Sequence, residues 1–150
     1  MKSRALVGAF SVVVLLLCGS VYAQVKRPYK NGSVWSISFV NVKYGMDEAY
    51  MNHVTGVWKS IQEAAKKDKV ILSYKVLKTE GHTADDWNMM LMTEYKDLAS
   101  LEAAEAKEEA LVQKMIGDDQ KQQQGYKERL EIRQMTGTRV ARELVLEPRP

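Results

Sequence analysis

Cysteine occurs once in the 150 residues and histidine twice. Proline occurs three times, and 22 Lys and Arg stand against 19 Asp and Glu. One cysteine, Cys18, excludes a disulfide framework within the chain and any paired-cysteine metal motif. Two histidines do not suggest a Ser-His-Asp or Cys-His arrangement, and there is no Gly-rich phosphate loop, so hydrolytic and nucleotide-dependent chemistry drop out. The small basic excess alternates in sign with acidic positions instead of clustering, which argues against nucleic acid as a partner. No internal repeat is present. What remains, 45% hydrophobic and 27% charged, fits one globular domain.

The first two dozen residues stand apart from that domain. Lys2 and Arg4 give a positive start and Ala5 to Leu17 is an apolar run. Val21-Tyr22-Ala23 then offers the small residues a signal peptidase reads, so residues 1–23 are expected to be a signal peptide cut after Ala23. The apolar run is shorter than the roughly 20 residues that cross a bilayer, which disfavours an uncleaved anchor. A lipid on Cys18 is the weaker alternative, because Leu17 is not the small residue that normally precedes such a cysteine. Cleavage would put the product in the periplasm or outside the cell, with no stable membrane anchor, no thiol and no disulfide. Loss of Lys2 and Arg4 leaves 20 basic against 19 acidic residues, so the formal net charge falls from +3 to +1.

Along the mature chain, 24–33 is polar, contains Pro28 and Gly32, and reads as a flexible lead-in. Residues 34–43 alternate with period two, Trp35, Ile37 and Phe39 against Ser36 and Ser38, which predicts a strand. Met46, Tyr50, His53, Val54, Val57, Ile61 and Ala64 recur every three or four residues and predict a helix over 47–67. Two strands follow, over 70–78 and over 87–95, the latter apolar on both faces. Asp97 can cap a helix running to Ile116, which Gly117 can end in the left-handed conformation. A Gln-rich helix is expected over 118–135, read as a solvated face, with protein docking a weaker alternative. A closing strand over 138–147 completes the domain at 34–147, and 148–150 is a tail.

The order is βαββα(α)β, an α+β ferredoxin-like pattern: a four-stranded antiparallel sheet with its helices on one face. A third strand apolar on both sides needs cover on the second face, and a homodimer supplies it most simply. This order, the opening VWSISFVNVKYGMDEAYMNHV, the ILSYKVL strand and the closing GTRVARELVLE resemble the dimeric α/β-barrel superfamily, including its exported members of unknown role. The resemblance implies paired sheets forming a barrel and a ligand cleft between sheet and helices. Some members of that superfamily are cofactor-independent monooxygenases and others handle haem.

His53 is the leading candidate for chemistry, since at about 100° per residue it falls within the apolar stripe and points toward the sheet. Its imidazole is either a core group hydrogen-bonded to Ser36 or Ser38, the reading one histidine favours, or a ligand or acid-base group. Tyr50, His53, Val57, Trp35 and Tyr74 are the expected ligand-binding set. Asn41, Trp58 and Trp87 supply further groups of the same kind, which ordinary packing explains equally well. No catalytic set is complete, and haem is the one cofactor the resemblance brings in. His82, Asp85 and Asp86 are too few for a metal site, so none is expected. Arg139 and Arg142, three apart on a strand, face opposite sides. The function these features favour is binding of a small apolar or aromatic molecule by an exported homodimer. The alternative is an oxygen-using or haem-handling enzyme that relies on His53.

Overall fold

The first strand sets the frame. In the computed structural model, which describes residues 27–80, 83 and 86–148, β1 runs over Tyr29–Val42, five residues ahead of the predicted start at Val34. The signal-peptide segment, Cys18, His82, Asp85 and Pro150 lie outside the described residues. The flexible lead-in was expected over 24–33, but within it Tyr29 to Asn31 are held by pairing with Leu144 to Leu146. Tyr29 is opposite Leu146 and Asn31 opposite Leu144, and the register then shifts before Val34 pairs with Arg142. Gly32 sits in that irregularity, where a Cβ would come within 2.9 Å of a Glu143 carboxylate oxygen. Its lack of a side chain lets the two strands approach, a common use of glycine at a bulge.

Helix α1 covers residues 47–67 as predicted, but in three parts: α-helical over Asp47–His53, π-helical over Val54–Trp58 and α-helical over Lys59–Lys67. The wide turn carries one residue more than an α turn. Downstream of it the stripe moves by one position, so Trp58 and Ala65 pack inward where period 3.6 pointed to Val57 and Ala64. Ala65 is buried, whereas Val57 is 41% exposed.

Strands β2, Ser73–Lys78, and β3, Met89–Tyr95, are shorter than expected at their starts. Asn88 substitutes for another rung: its side chain accepts from the Val42 amide at 2.8 Å and donates to the Val42 carbonyl at 2.9 Å. Trp87 therefore does not share a face with Met89. It packs edge-on against Phe39, centroids 5.2 Å apart.

Helix α2 spans Leu98–Ile116, capped as predicted by Asp97, whose carboxylate accepts from the Ser100 amide at 2.7 Å. Hydrogen bonding from Ser100, by its side chain first and its amide second, holds the Asp97 carboxyl below its usual pKa. Gly117 ends the helix at φ 116° and ψ −160°. This is an extended positive-φ region open essentially to glycine alone, and not the left-handed cap expected. Helix α3 spans Asp119–Ile132 with Asp118 as its cap. The last strand, β4, spans Arg133–Leu146, so Arg133 to Met135 belong to strand and not to the preceding helix.

The strand order is β2-β3-β1-β4 with every neighbouring pair antiparallel, the arrangement of the ferredoxin-like fold. Register assigns the faces, because directly paired residues share one. Val34, Ser36, Ser38 and Val40 pair with Tyr95, Thr93, Leu91 and Met89 and face the helices. Two core clusters lie on that side. Val40, Val42, Tyr50, Val54, Met89 and Leu91 form one, and Ala65, Ile71, Tyr95 and Ala104 form the other. Thr93, also buried, donates to Gln62 of α1 at 3.1 Å. Trp35, Ile37 and Phe39, with their partners Glu94, Met92 and Met90, form the opposite face, which none of the three helices among the described residues covers. Arg139 pairs with Ile37 and Arg142 with Val34, so the two arginines do face opposite sides.

Candidate functional site

The expected ligand-binding set divides into three places. Tyr50 is 1% exposed and fills the space between α1 and the sheet, so that layer is packed core and holds no sheet-helix cleft at this point. Trp35 is on the opposite face of the sheet, its ring under the Lys75 ammonium at 4.9 Å. Tyr74 faces α1 further along, packed edge-on against Trp58 at 5.4 Å and donating its hydroxyl to Glu63. Only His53 and Val57 share a cleft, and it lies one layer outward from the expected place, between helices.

That cleft has a volume of about 400 Å³. His53 and Val57 of α1 form one wall, Gly125, Glu128, Arg129 and Ile132 of α3 the other, with Ile116 at one end. The π turn explains why Val57 is there: the displaced stripe leaves it outside the core. A second cleft, of about 440 Å³, opens on the other side of Arg129 and shares Ile116 with the first.

His53 does not hydrogen-bond Ser36 or Ser38, the partners expected of a core histidine. Its ring lies 6.0 Å from that of Tyr50. Burial, followed by the charges of Arg129 and Arg133, lowers its pKa to about 4, so the imidazole is neutral at neutral pH. Tyr50 is pushed upward by burial, with the same two arginines opposing. Arg129 is pushed downward by burial and then by Arg133. Tyr95, in the second core cluster, donates to Glu108 at 2.6 Å and is raised mainly by burial.

Arg133 is the residue that sequence reasoning missed, since it was placed in a solvated helix. It is 7% exposed, and its guanidinium carbon lies 5.9 Å from the ring centroids of both Tyr50 and Tyr126. Cation–π contact accounts for the guanidinium faces. Nε and Nη1 are buried with no hydrogen-bond partner among the described residues. The only signal available in sequence was a cation directly after the last apolar residue of α3, which is common at any helix end.

The cleft does not fit haem. A neutral imidazole can bind iron, but the wall facing His53 carries Glu128 and Arg129 beside Gly125 and Ile132. An apolar macrocycle there would desolvate both charged groups. Among the described residues no group of three or more His, Cys, Asp or Glu is placed to hold a metal ion. No helix among them is long and apolar enough to cross a membrane.

No protein-family model and no curated protein matches the chain. Among solved structures, it is similar to a dimeric ferredoxin-like protein from an uncultured marine organism. The two share 18% identity over 80% of this chain and 98% of that one, with a TM-score of 0.38.

Proposed function

We propose that the protein is exported and acts as a homodimer that binds a small apolar or aromatic molecule at His53, without itself catalysing a reaction. The observation that carries this reading is the cleft of about 400 Å³ lined by Val57, Ile116 and Ile132 beside an imidazole held neutral. Its size falls within the range of small-molecule sites, and its mix of apolar walls and a few polar groups is typical of them. Glu128 is the one carboxylate on the cleft wall, and among the described residues no serine, threonine, cysteine or lysine lines the cleft beside His53 as a nucleophile.

Export is supported by the charged start, short apolar run and Val21-Tyr22-Ala23 of the sequence. Two features support a second copy. Trp35, Ile37, Phe39, Leu77, Met90 and Met92 put a broad apolar surface on the sheet face that the helices leave uncovered. Before Val34, over Tyr29 to Asn31, β1 pairs only with β4, and the resulting ribbon exposes Leu144, Val145 and Leu146 at 49%, 49% and 79%. A two-stranded ribbon is marginal by itself and gains from packing on a partner.

The test is the mass of the purified protein in solution together with titration against a panel of aromatic compounds. A dimer that binds saturably, and loses binding in a folded His53→Ala variant, is the expected result. A monomer, or a dimer that binds none of the panel, refutes the corresponding half of the reading.

A further inference from the structure

We propose that the cleft takes small organic monocarboxylates, held at the carboxylate by Arg129 with Arg133 behind it and along the hydrocarbon by Val57, Ile116 and Ile132. This rests on the binding role proposed above and names the class of ligand.

The argument begins with charge left without a partner. Arg133 is more than nine-tenths buried, yet two of its nitrogens have no acceptor among the described residues. Tyrosine faces on either side satisfy the flat surfaces of the guanidinium but not the N–H groups in its plane. Neither nitrogen is exposed and Arg133 does not line the cleft, so what it offers an anion there is its buried positive charge, acting from behind Arg129. Arg133 directly follows Ile132, a residue of the cleft wall, and its charge is felt by both His53 and Arg129.

Arg129 lies one helical turn earlier and lines the cleft directly. Its guanidinium rests over Gly125, where a Cβ would come within 3.2 Å of Nη1. A Cβ at 125 would be tight against the guanidinium, which would have to give slightly. Among the described residues neither arginine forms an ion pair with a carboxylate. Glu128 is the one acid on the cleft wall, and Gln124 Nε2 donates to it at 2.9 Å.

Two guanidinium charges against this one carboxylate, with His53 neutral, leave one positive charge to be balanced. A monoanion balances it, whereas a doubly charged phosphate would overshoot. The apolar residues beside the arginines suit a hydrocarbon body, so the ligand class is an amphipathic acid and not a bare inorganic ion.

The experiment compares benzoate and octanoate with benzamide and octanamide, by calorimetric titration of the purified protein at low salt. Each acid and its amide share shape and apolar area and differ mainly in charge. The acids are expected to bind about tenfold or more tightly than the amides, a difference suited to one charge-assisted contact. Arg129→Gln, whose half-exposed site makes it a mild change to the fold, is expected to bring the acids to the affinity of the amides. Equal affinity of acid and amide for the unaltered protein overturns the carboxylate site while sparing the binding role. Failure of all four compounds to bind overturns both.

Discussion

Asn88 pairs with both backbone groups of Val42 through its side chain, at 2.8 and 2.9 Å, while its own amide donates to the Val40 carbonyl at 2.9 Å. The side chain thus extends the β1–β3 ladder past the last true strand residue, and Val42 enters the core beside Tyr50 and Val54. Asn88→Ala would strand a donor and an acceptor of Val42, at a cost of about 2 kcal/mol. A melting temperature several degrees lower is expected, and an unchanged one would show that water replaces the amide without loss.

Gly56 lies inside the π turn of α1, where a Cβ would meet nothing within 4 Å. Alanine there adds no clash and reduces the freedom of the unfolded chain. Gly56→Ala is therefore expected to stabilise by about 0.5–1 kcal/mol in chemical denaturation. Destabilisation would mean that the wide turn itself depends on glycine.

His53 has a folded-state pKa of about 4, below its ordinary value of 6.5. Between these values the unfolded chain binds more protons than the folded one, so stability falls as pH drops from 6.5 toward 4 and is fully present above 6.5. The contribution is about 2 kcal/mol, less than the full shift converts to, because the ring is only half-buried and water screens it. Unfolding free energies at pH 7 and pH 4.5 should differ by less in His53→Gln than in the unaltered protein. Equal pH dependence in the two would place the imidazole in solvent.

Removing a neighbouring charge gives an independent check on the same group. In Arg129→Gln the His53 pKa should rise, because a guanidinium that disfavours the imidazolium is gone. Histidine resonances followed by NMR across pH 3 to 8 report it directly, and no movement would put Arg129 too far from the ring to matter.

The uncovered sheet face yields a prediction about assembly. Met92 pairs with Ile37 and Lys75 near the middle of that face. Met92→Lys would bury an unpaired charge in a dimer formed through this face and should halve the mass measured by sedimentation or light scattering. A folded variant that stays dimeric would move the interface elsewhere, with the exposed ribbon of β1 and β4 the next candidate.

Element order was legible in the sequence because it is local. The period-two run at 34–43, the helical stripe from Met46, the Asp97 cap and the turn at Gly117 are each set by a few neighbouring residues, and they led directly to the ferredoxin-like topology. Alternation also separated Trp35, Ile37 and Phe39 from Ser36 and Ser38. What it could not decide is which set meets the helices. That depends on the side to which the crossover of α1 carries the chain, so Trp35 was grouped with His53 although the sheet lies between their sides.

The site needed tertiary structure for a related reason. A single extra residue in the π turn moves the buried stripe from Val57 to Trp58, and a strict 3.6 period carries no sign of it. Arg133 reads as an ordinary cation at a helix end until the chain turns there into β4 and carries its guanidinium between Tyr50 and Tyr126. Local preference set the type of each element, while long-range packing set the burial of charge, and the chemistry of this cleft depends on the second.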